Sequence, residues 1–312
     1  MARRELGPAA LKVGRAVAGL LPEGPVVAGV SGGADSMALA LGAAWAAPRV
    51  SAEVTCIVVD HGLQPGSAEI AGQTADVLKA RGVAAEVRQV QVGRDGGIEA
   101  AAREARLAAL SRDGHPVLLG HTLDDQAETV LLGLLRGSGI RSLAGMAPRR
   151  GLFLRPLLGI RRAETEAACR EWGIDWWSDP MNSDPRFARV RARSVLALLS
   201  TELGRDVAVG LARTARLARS DADLLDELAE LALTRAARGD ALDVAVLVAQ
   251  PDALRGRMLL SWLRNHGCLA GQVHVAAVDD LVVSWRGQGP VLVPGGSVRR
   301  VSGRLEWLGL AT

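Results

Sequence analysis

Apolar and polar positions fall into alternating blocks along the first 120 residues. The runs 25–30, 54–59, 85–92 and 116–119 are Val-rich and read as strands, three of them almost unbroken, as expected of strands covered on both faces. Between them, 36–45, 70–81 and 98–110 are rich in Ala, Leu and Arg and long enough for helices. Strands that alternate with helices specify a parallel sheet flanked by helices, and such sheets bind ligands at the carboxyl ends of their strands. The expected fold class is α/β, a doubly wound, mostly parallel sheet with its functional residues just after strands.

From Arg155 the pattern changes to a helix over 162–172, a polar loop over 178–184, an Arg-rich helix over 187–199 and a long helical stretch over 207–238. Beyond Gly239 lies a smaller α+β unit with helices at 254–264 and 275–283, then short apolar pieces around Val291, Val298 and Leu305. The expected organisation is an α/β domain over 1–205, a helical linker over 206–238 and a small C-terminal domain over 239–312.

Composition narrows the class. The chain has 312 residues, 49% hydrophobic and 23% charged, enough for two folded domains and incompatible with disorder as the dominant state. The charge-free stretch 36–48 is 13 residues and none in the chain exceeds 14, short of the roughly 18–20 a membrane span needs. Arg3 and Arg4 are followed by Lys12 and Arg15, which interrupt any secretory apolar region, so a cytoplasmic location is expected. Cys56, Cys169 and Cys268 lie far apart with no CxxC, against a disulfide framework, a zinc site or an iron–sulfur cluster. Net charge is +3, yet all basic residues but Lys12 and Lys79 are Arg, a composition compatible with an RNA partner and equally with a plain compositional bias.

Four groups of residues carry candidate chemistry. In VVAGVSGGADS a strand runs into Ser31, Gly32, Gly33, Ala34, Asp35 and Ser36 and then a helix; small residues there let backbone N–H groups close around an anion at a positive helix end. The loop lacks the lysine of a Walker A motif and the spacing of GxGxxG. Asp35 beside phosphate calls for a cation between them, which suggests Mg²⁺. His121, Asp124, Asp125 and Glu128 follow the fourth strand, with Asp125 and Glu128 on one helical face; read locally, Thr122 to Asp125 is also a capping box. In EAAAREAR, Glu99, Arg103 and Arg106 sit on a helix, the two arginines a turn apart, while Asp60 and His61 end the second strand. Arg136 and Arg141 flank a Gly137-Ser138-Gly139 loop, and Arg186, Arg189, Arg191 and Arg193 form a basic run suited to phosphate or to a solvated helix. Trp172, Trp176 and Trp177 read as core packing ahead of base stacking.

SGGADS matches the SGGxDS signature of the N-type ATP pyrophosphatases, or PP-loop enzymes, which split ATP to AMP and pyrophosphate. Within them the chain resembles the tRNA(Ile)-lysidine synthetase family through VDHGL at 59–63, GHTLDDQAETVLLGLLRGSG at 120–139, RPLLGI at 155–160 and DPMNSDPRFARVRAR at 179–193. Val190 stands where many relatives carry Asn. The resemblance implies ligation of free lysine to carbon-2 of the first anticodon cytidine of isoleucine tRNA with a CAU anticodon, through an adenylated cytidine, with ATP and Mg²⁺. It implies a catalytic group of Asp125, Glu128, Arg103 and His121, ATP on Ser31 to Ser36 with Asp60 and His61, and Mg²⁺ on Asp35, Asp125 and Glu128. Contacts to tRNA would fall to Arg136, Arg141, Arg189, Arg191 and Arg193, with the small C-terminal domain holding the tRNA. A homodimer is left open. The competing readings are another PP-loop tRNA enzyme such as a thiolase, for which paired cysteines are missing, and a nucleotide sensor without turnover, against which Asp125 and Glu128 argue.

Overall fold

A computed structural model describes residues 6–62, 66–91, 93, 98–137 and 139–309. Arg3, Arg4, Leu63, Val92 and Ser138 lie outside the described residues, as do the side chains of 98–100, 182 and 183. The chain divides into two compact units, 1–137 with 142–215, and 138–141 with 216–312.

The first unit contains α1 (Pro8–Ala18), β1 (Gly24–Val30), α2 (Ala34–Ala46), β2 (Ala52–Asp60), α3 (Ser67–Ala80), β3 (Ala85–Gln89), α4 (Ile98–Leu110), β4 (Val117–Leu118), α5 (Leu123–Leu135), β5 (Arg149–Arg150), β6 (Phe153–Leu154), α7 (Arg162–Trp172) and α8 (Ala188–Glu202); the short α6 (Gly139–Leu143), between α5 and β5 in sequence, counts with the second unit through Arg141 and with the first from Ser142. Its sheet has the order β3-β2-β1-β4-β6-β5, parallel throughout except for the β5–β6 hairpin. Val26, Ala28 and Val30 of β1 join one core cluster, and Val27 joins another with Ile57, Leu110 and Val117. Successive residues of a strand point to opposite faces, so a run of apolar residues is what a doubly covered strand requires. Each buried Val or Leu contributes about 1.5–3 kcal/mol.

The chain leaves β1 for β2 and β3, then returns to the other flank of β1 as β4. That reversal opens a crevice at the carboxyl ends of β1 and β4, where ligands bind in sheets of this kind. Helix α1, not anticipated as an element, occupies the stretch considered for a leader. Its Ala10, Val13 and Val17 are fully buried, Gly14 and Gly42 permit close packing on α2, and the carboxylate of Glu171 accepts from Ala9 and Ala10 N–H at its start. Among the described residues no helix is long and apolar enough to cross a membrane.

The helix α9 (Val207–Ala236) counts with the first unit through Ala215 and with the second from Arg216. The second unit continues with β7 (Ala237–Arg238), β8 (Ala241–Asp243), α10 (Val244–Val248), α11 (Asp252–Asn265), α12 (Gln272–Val283), β9 (Val291–Val293), β10 (Gly296–Val301) and β11 (Arg304–Gly309). Its antiparallel sheet has the order β7-β8-β11-β10-β9, and its core gathers Leu233, Leu242, Met258, Leu263, Val298 and Leu305. Buried Arg255 is compensated by Asp279 at 2.6 Å and Asp252 at 2.8 Å, as a buried guanidinium must be.

Candidate functional site

The turn from β1 into α2 is shaped by what its residues lack. Gly32 has φ +84°, and a Cβ there would stand 2.7 Å from Thr74 Oγ1, so only glycine fits. Ser36 Oγ accepts the Ser31 N–H at 3.1 Å and donates to the Gly33 carbonyl at 2.9 Å, which folds the loop over the start of the helix. Trp177 N–H donates to the Gly32 carbonyl at 3.0 Å. The loop lines a cavity of about 490 Å³ together with Arg106, His121, Arg162 and Trp177.

Helix α5 follows β4, the strand beside β1. Its capping box is formed: Asp125 Oδ2 accepts from Thr122 N–H at 2.8 Å and from Thr122 Oγ1 at 2.9 Å, while Thr122 Oγ1 accepts from Asp125 N–H at 3.4 Å. The cap engages only one carboxylate oxygen. Asp125 Oδ1 accepts from Arg162 Nη2 at 2.9 Å, and Arg162 Nε donates to Asp35 Oδ2 at 3.0 Å. Thr165 Oγ1 donates to the other oxygen of Asp35. Arg162 N–H donates to Asp124 Oδ2 at 2.7 Å. One residue at the start of α7 therefore joins the loop after β1 to the turn after β4.

These environments separate the carboxylates electrically. Burial lifts Asp35 above the usual carboxylate range against the pull of Arg162 and Thr165. Asp125 is buried too, which opposes its charge, but Arg162 and the Thr122 donors prevail and hold it below that range. Glu128 is 1% exposed; Oε1 accepts from Arg193 Nε at 2.8 Å, Oε2 is buried without a partner among the described residues, and burial raises the carboxyl above its ordinary range. Burial pushes His121 down to about 3 despite Asp125, so its imidazole is neutral.

A second cavity of about 790 Å³ is lined by Asp60, His61, Arg103, Asp125, Glu128 and Arg189, among others. Ser31, Arg106, Arg162, Trp177 and Arg193 line both cavities. Arg106 Nε, His61 Nδ1 and His121 Nδ1 are buried without hydrogen-bond partners among the described residues. Burial and the nearby cations Arg103 and Arg189 disfavour the charge of Arg106, an arrangement that an anion would relieve.

Ser31, Ala34, Asp35, Ser36, Asp60, His61, Arg103, His121, Asp125, Glu128, Arg189 and Arg193 thus come together around the two cavities. Arg136, Arg141 and Arg191 do not. Arg136 is exposed at the end of α5, Arg141 is ion-paired with Asp223 and Asp226, and Arg191 donates to the carbonyls of Pro185 and Arg186. Among the described residues no three acidic, imidazole or thiol groups converge as a ready metal cluster; Asp35 and Asp125 flank Arg162 and Glu128 pairs with Arg193. The core reading holds for Trp172, whereas Trp176 packs on the core and also lines the loop cavity, and Trp177 lines both cavities. Arg162 and Thr165 escaped notice in the sequence. One signal was there: a cation in the first turn of a helix opposes the macrodipole, and such local violations mark functional positions.

Comparison with known proteins gives the family. A PP-loop domain model matches residues 10–199 and a TilS substrate binding domain model matches 242–306. A tRNA(Ile)-lysidine synthase from Mycobacterium tuberculosis is 53% identical over 275 residues, 85% of this chain and 83% of that one. One from Salinispora tropica is 47% identical over 321 aligned positions, 96% of each chain. The chain belongs to the tRNA(Ile)-lysidine synthase family. The loop over Ser31 to Ser36 lies within the stretch that the PP-loop domain model matches. A U34-tRNA thiolase from Methanococcus maripaludis superposes with a TM-score of 0.53 at 18% identity, covering 68% of this chain and 80% of that one, a likeness of fold alone. The family's substrate-binding domain favours lysidine synthesis over the thiolase alternative.

Proposed function

We propose that the two cavities divide a single ligation between them. As a lysidine synthase the chain joins lysine to carbon-2 of the first anticodon cytidine of isoleucine tRNA, consuming ATP and releasing AMP and pyrophosphate. The observation that carries the division of labour is the meeting of the loop after β1 and the acidic turn after β4, with Asp35 and Asp125 on one guanidinium. ATP lies on the Ser31 to Ser36 loop, where backbone N–H groups and the start of α2 take its phosphates. The cytidine oxygen attacks the α-phosphate, pyrophosphate leaves, and the base oxygen becomes part of an adenylate that can depart. Lysine enters the larger cavity.

There the free Oε2 of Glu128 accepts a hydrogen bond from the lysine ε-ammonium. Burial raises Glu128 toward the working pH, which suits it to take the proton as the amine attacks carbon-2 and AMP leaves. Asp125, held charged by Arg162 and Thr122, orients the ammonium beside it. Neutral His121 offers a hydrogen bond to the base, Arg103 and Arg106 face the negative charge of the adenylate, and Asp60 and His61 border the nucleotide. Mg²⁺ takes one or two carboxylates and completes its shell with water and phosphate. Asp35 and Asp125, already gathered around a cation, fit that demand, and Glu128 with its free oxygen is the third candidate. When bound, Mg²⁺ neutralises charge on the departing pyrophosphate.

Arg136, Arg189 and Arg191 are the tRNA phosphate contacts of this reading, and Arg141 would serve only by leaving Asp223 and Asp226. The C-terminal domain holds the tRNA, with a CAU anticodon, and the protein works in the cytoplasm. Burial pushes the Cys56 and Cys169 thiols up to about 12, so neither supplies a thiolate for sulfur transfer. Omission assays test the order of steps. Pyrophosphate release should need tRNA but not lysine, and AMP release should need both; ATP–pyrophosphate exchange that depends on lysine without tRNA would sink the proposal.

A further inference from the structure

Among the described residues, Arg162 is the one ion-pair partner that Asp35 and Asp125 share. Asp35 lines the loop cavity, Asp125 lines the larger cavity, and Arg162 lines both. Its guanidinium spans the two carboxylates at 3.0 and 2.9 Å, and its own N–H is fixed by Asp124 at 2.7 Å. It is only partly exposed, as are both its partners. Two carboxylates drawn together in such a place repel one another unless a cation stands between them. The helix dipole gives no reason for an Arg at this first-turn position, because it disfavours one.

We infer that Arg162 is a positioning residue that holds the place of the metal, keeping Asp35 and Asp125 gathered on its guanidinium until the nucleotide brings Mg²⁺ and the carboxylates exchange one cation for the other. The inference rests on reading the β1–α2 loop as the nucleotide site. It explains why two partly buried carboxylates are gathered on one guanidinium at the edge of both cavities. A guanidinium is suited to this task, since its fork reaches two carboxylates at once and it stays charged at every working pH. Released from the pair, the same side chain remains in the wall of both cavities, facing the phosphates.

The test uses thermal melts of the full chain without ATP, tRNA or lysine, with and without millimolar Mg²⁺ against NaCl of matched ionic strength. Arg162→Gln should melt below wild type and regain about 5 °C or more with Mg²⁺ but not with NaCl, because the metal replaces the missing cation. Wild type, whose carboxylates are already satisfied, should respond much less. Equal responses of the two proteins to Mg²⁺ would overturn the inference. If Arg162→Gln folds only when Mg²⁺ is present, that is the expected result in its strongest form. If it folds under neither condition, the double variant Asp35→Asn/Arg162→Gln decides: with the carboxylate pair gone it should fold without Mg²⁺, and its failure would show that Arg162 serves the fold alone. In turnover, Arg162→Gln should lose about 10²-fold in kcat with a smaller change in the KM for lysine, and Arg162→Lys should recover part of that loss. Lack of lysine transfer by wild type would reject the functional reading and leave the melts to judge Arg162 independently.

Discussion

At the level of single residues, the site works by giving three carboxylates three environments. Asp125 is held charged by Arg162 and Thr122, Glu128 is raised by burial and keeps one oxygen free, and Asp35 is raised by burial against Arg162 and Thr165. Glu128→Gln keeps the shape and removes the proton acceptor. It should abolish lysine transfer while shifting stability little, because the amide keeps an oxygen for Arg193 and burial already disfavours the charge that is removed. Asp125→Ala removes a cap and half of a shared pair, so lost transfer should come with a loss of about 2–4 kcal/mol, measurable by urea unfolding. Titration distinguishes the same groups. A carboxylate lowered in the fold stabilises above its unfolded pKa, so the deficit of Asp125→Ala should shrink as pH falls below the ordinary Asp range. His121 is lowered to about 3, so the folded state binds fewer protons than the unfolded chain between about 3 and 6.5. Stability should fall as pH drops through that window, and the His121 imidazole resonances should show no titration between about pH 5 and 8. A His121 midpoint near neutrality would contradict the burial argument.

At the level of elements, the loop after β1 was legible because it is local: glycines, hydroxyls and an acid between an apolar strand and a helix admit few structures. Gly32 shows why, with φ +84° and Thr74 Oγ1 where a Cβ would go. Gly32→Ala should cost about 1–2 kcal/mol from backbone strain alone and weaken ATP binding by equilibrium dialysis more than it weakens the fold. An alanine variant with normal ATP affinity would mean that the loop conformation is not what holds the nucleotide. The four strands and the helix Arg162–Trp172 were legible from periodicity. β5 and β6 were not, since no apolar run marks them; β6 exists because Val117 and Leu118 offer it a paired edge, and β5 pairs in turn on β6. Helix α1 escaped because its charged face drew attention before the Ala10, Val13 and Val17 spacing did. Arg162 escaped for a different reason: its partners lie 127 and 37 residues away in sequence, and only the fold brings them together.

At the level of the whole molecule, the charge that matters is distributed Arg rather than net charge. If Arg136, Arg189 and Arg191 each hold one phosphate, tRNA affinity should fall roughly 40-fold between about 50 and 200 mM salt, and Arg191→Ala should lower the slope of log K against log salt by about one. A flat response in filter binding would remove these arginines from the tRNA surface. The central claim is that the PP-loop and the acidic turn serve one ligation of lysine to an anticodon cytidine. The most direct test is incorporation of labelled lysine into isoleucine tRNA bearing a CAU anticodon. Label should appear in that tRNA only when ATP is present, vanish with Glu128→Gln, and persist when Cys56, Cys169 and Cys268 are all replaced by Ala or Ser in protein that stays folded. Label that fails to enter the tRNA with wild-type protein, or that survives Glu128→Gln unchanged, would contradict the account.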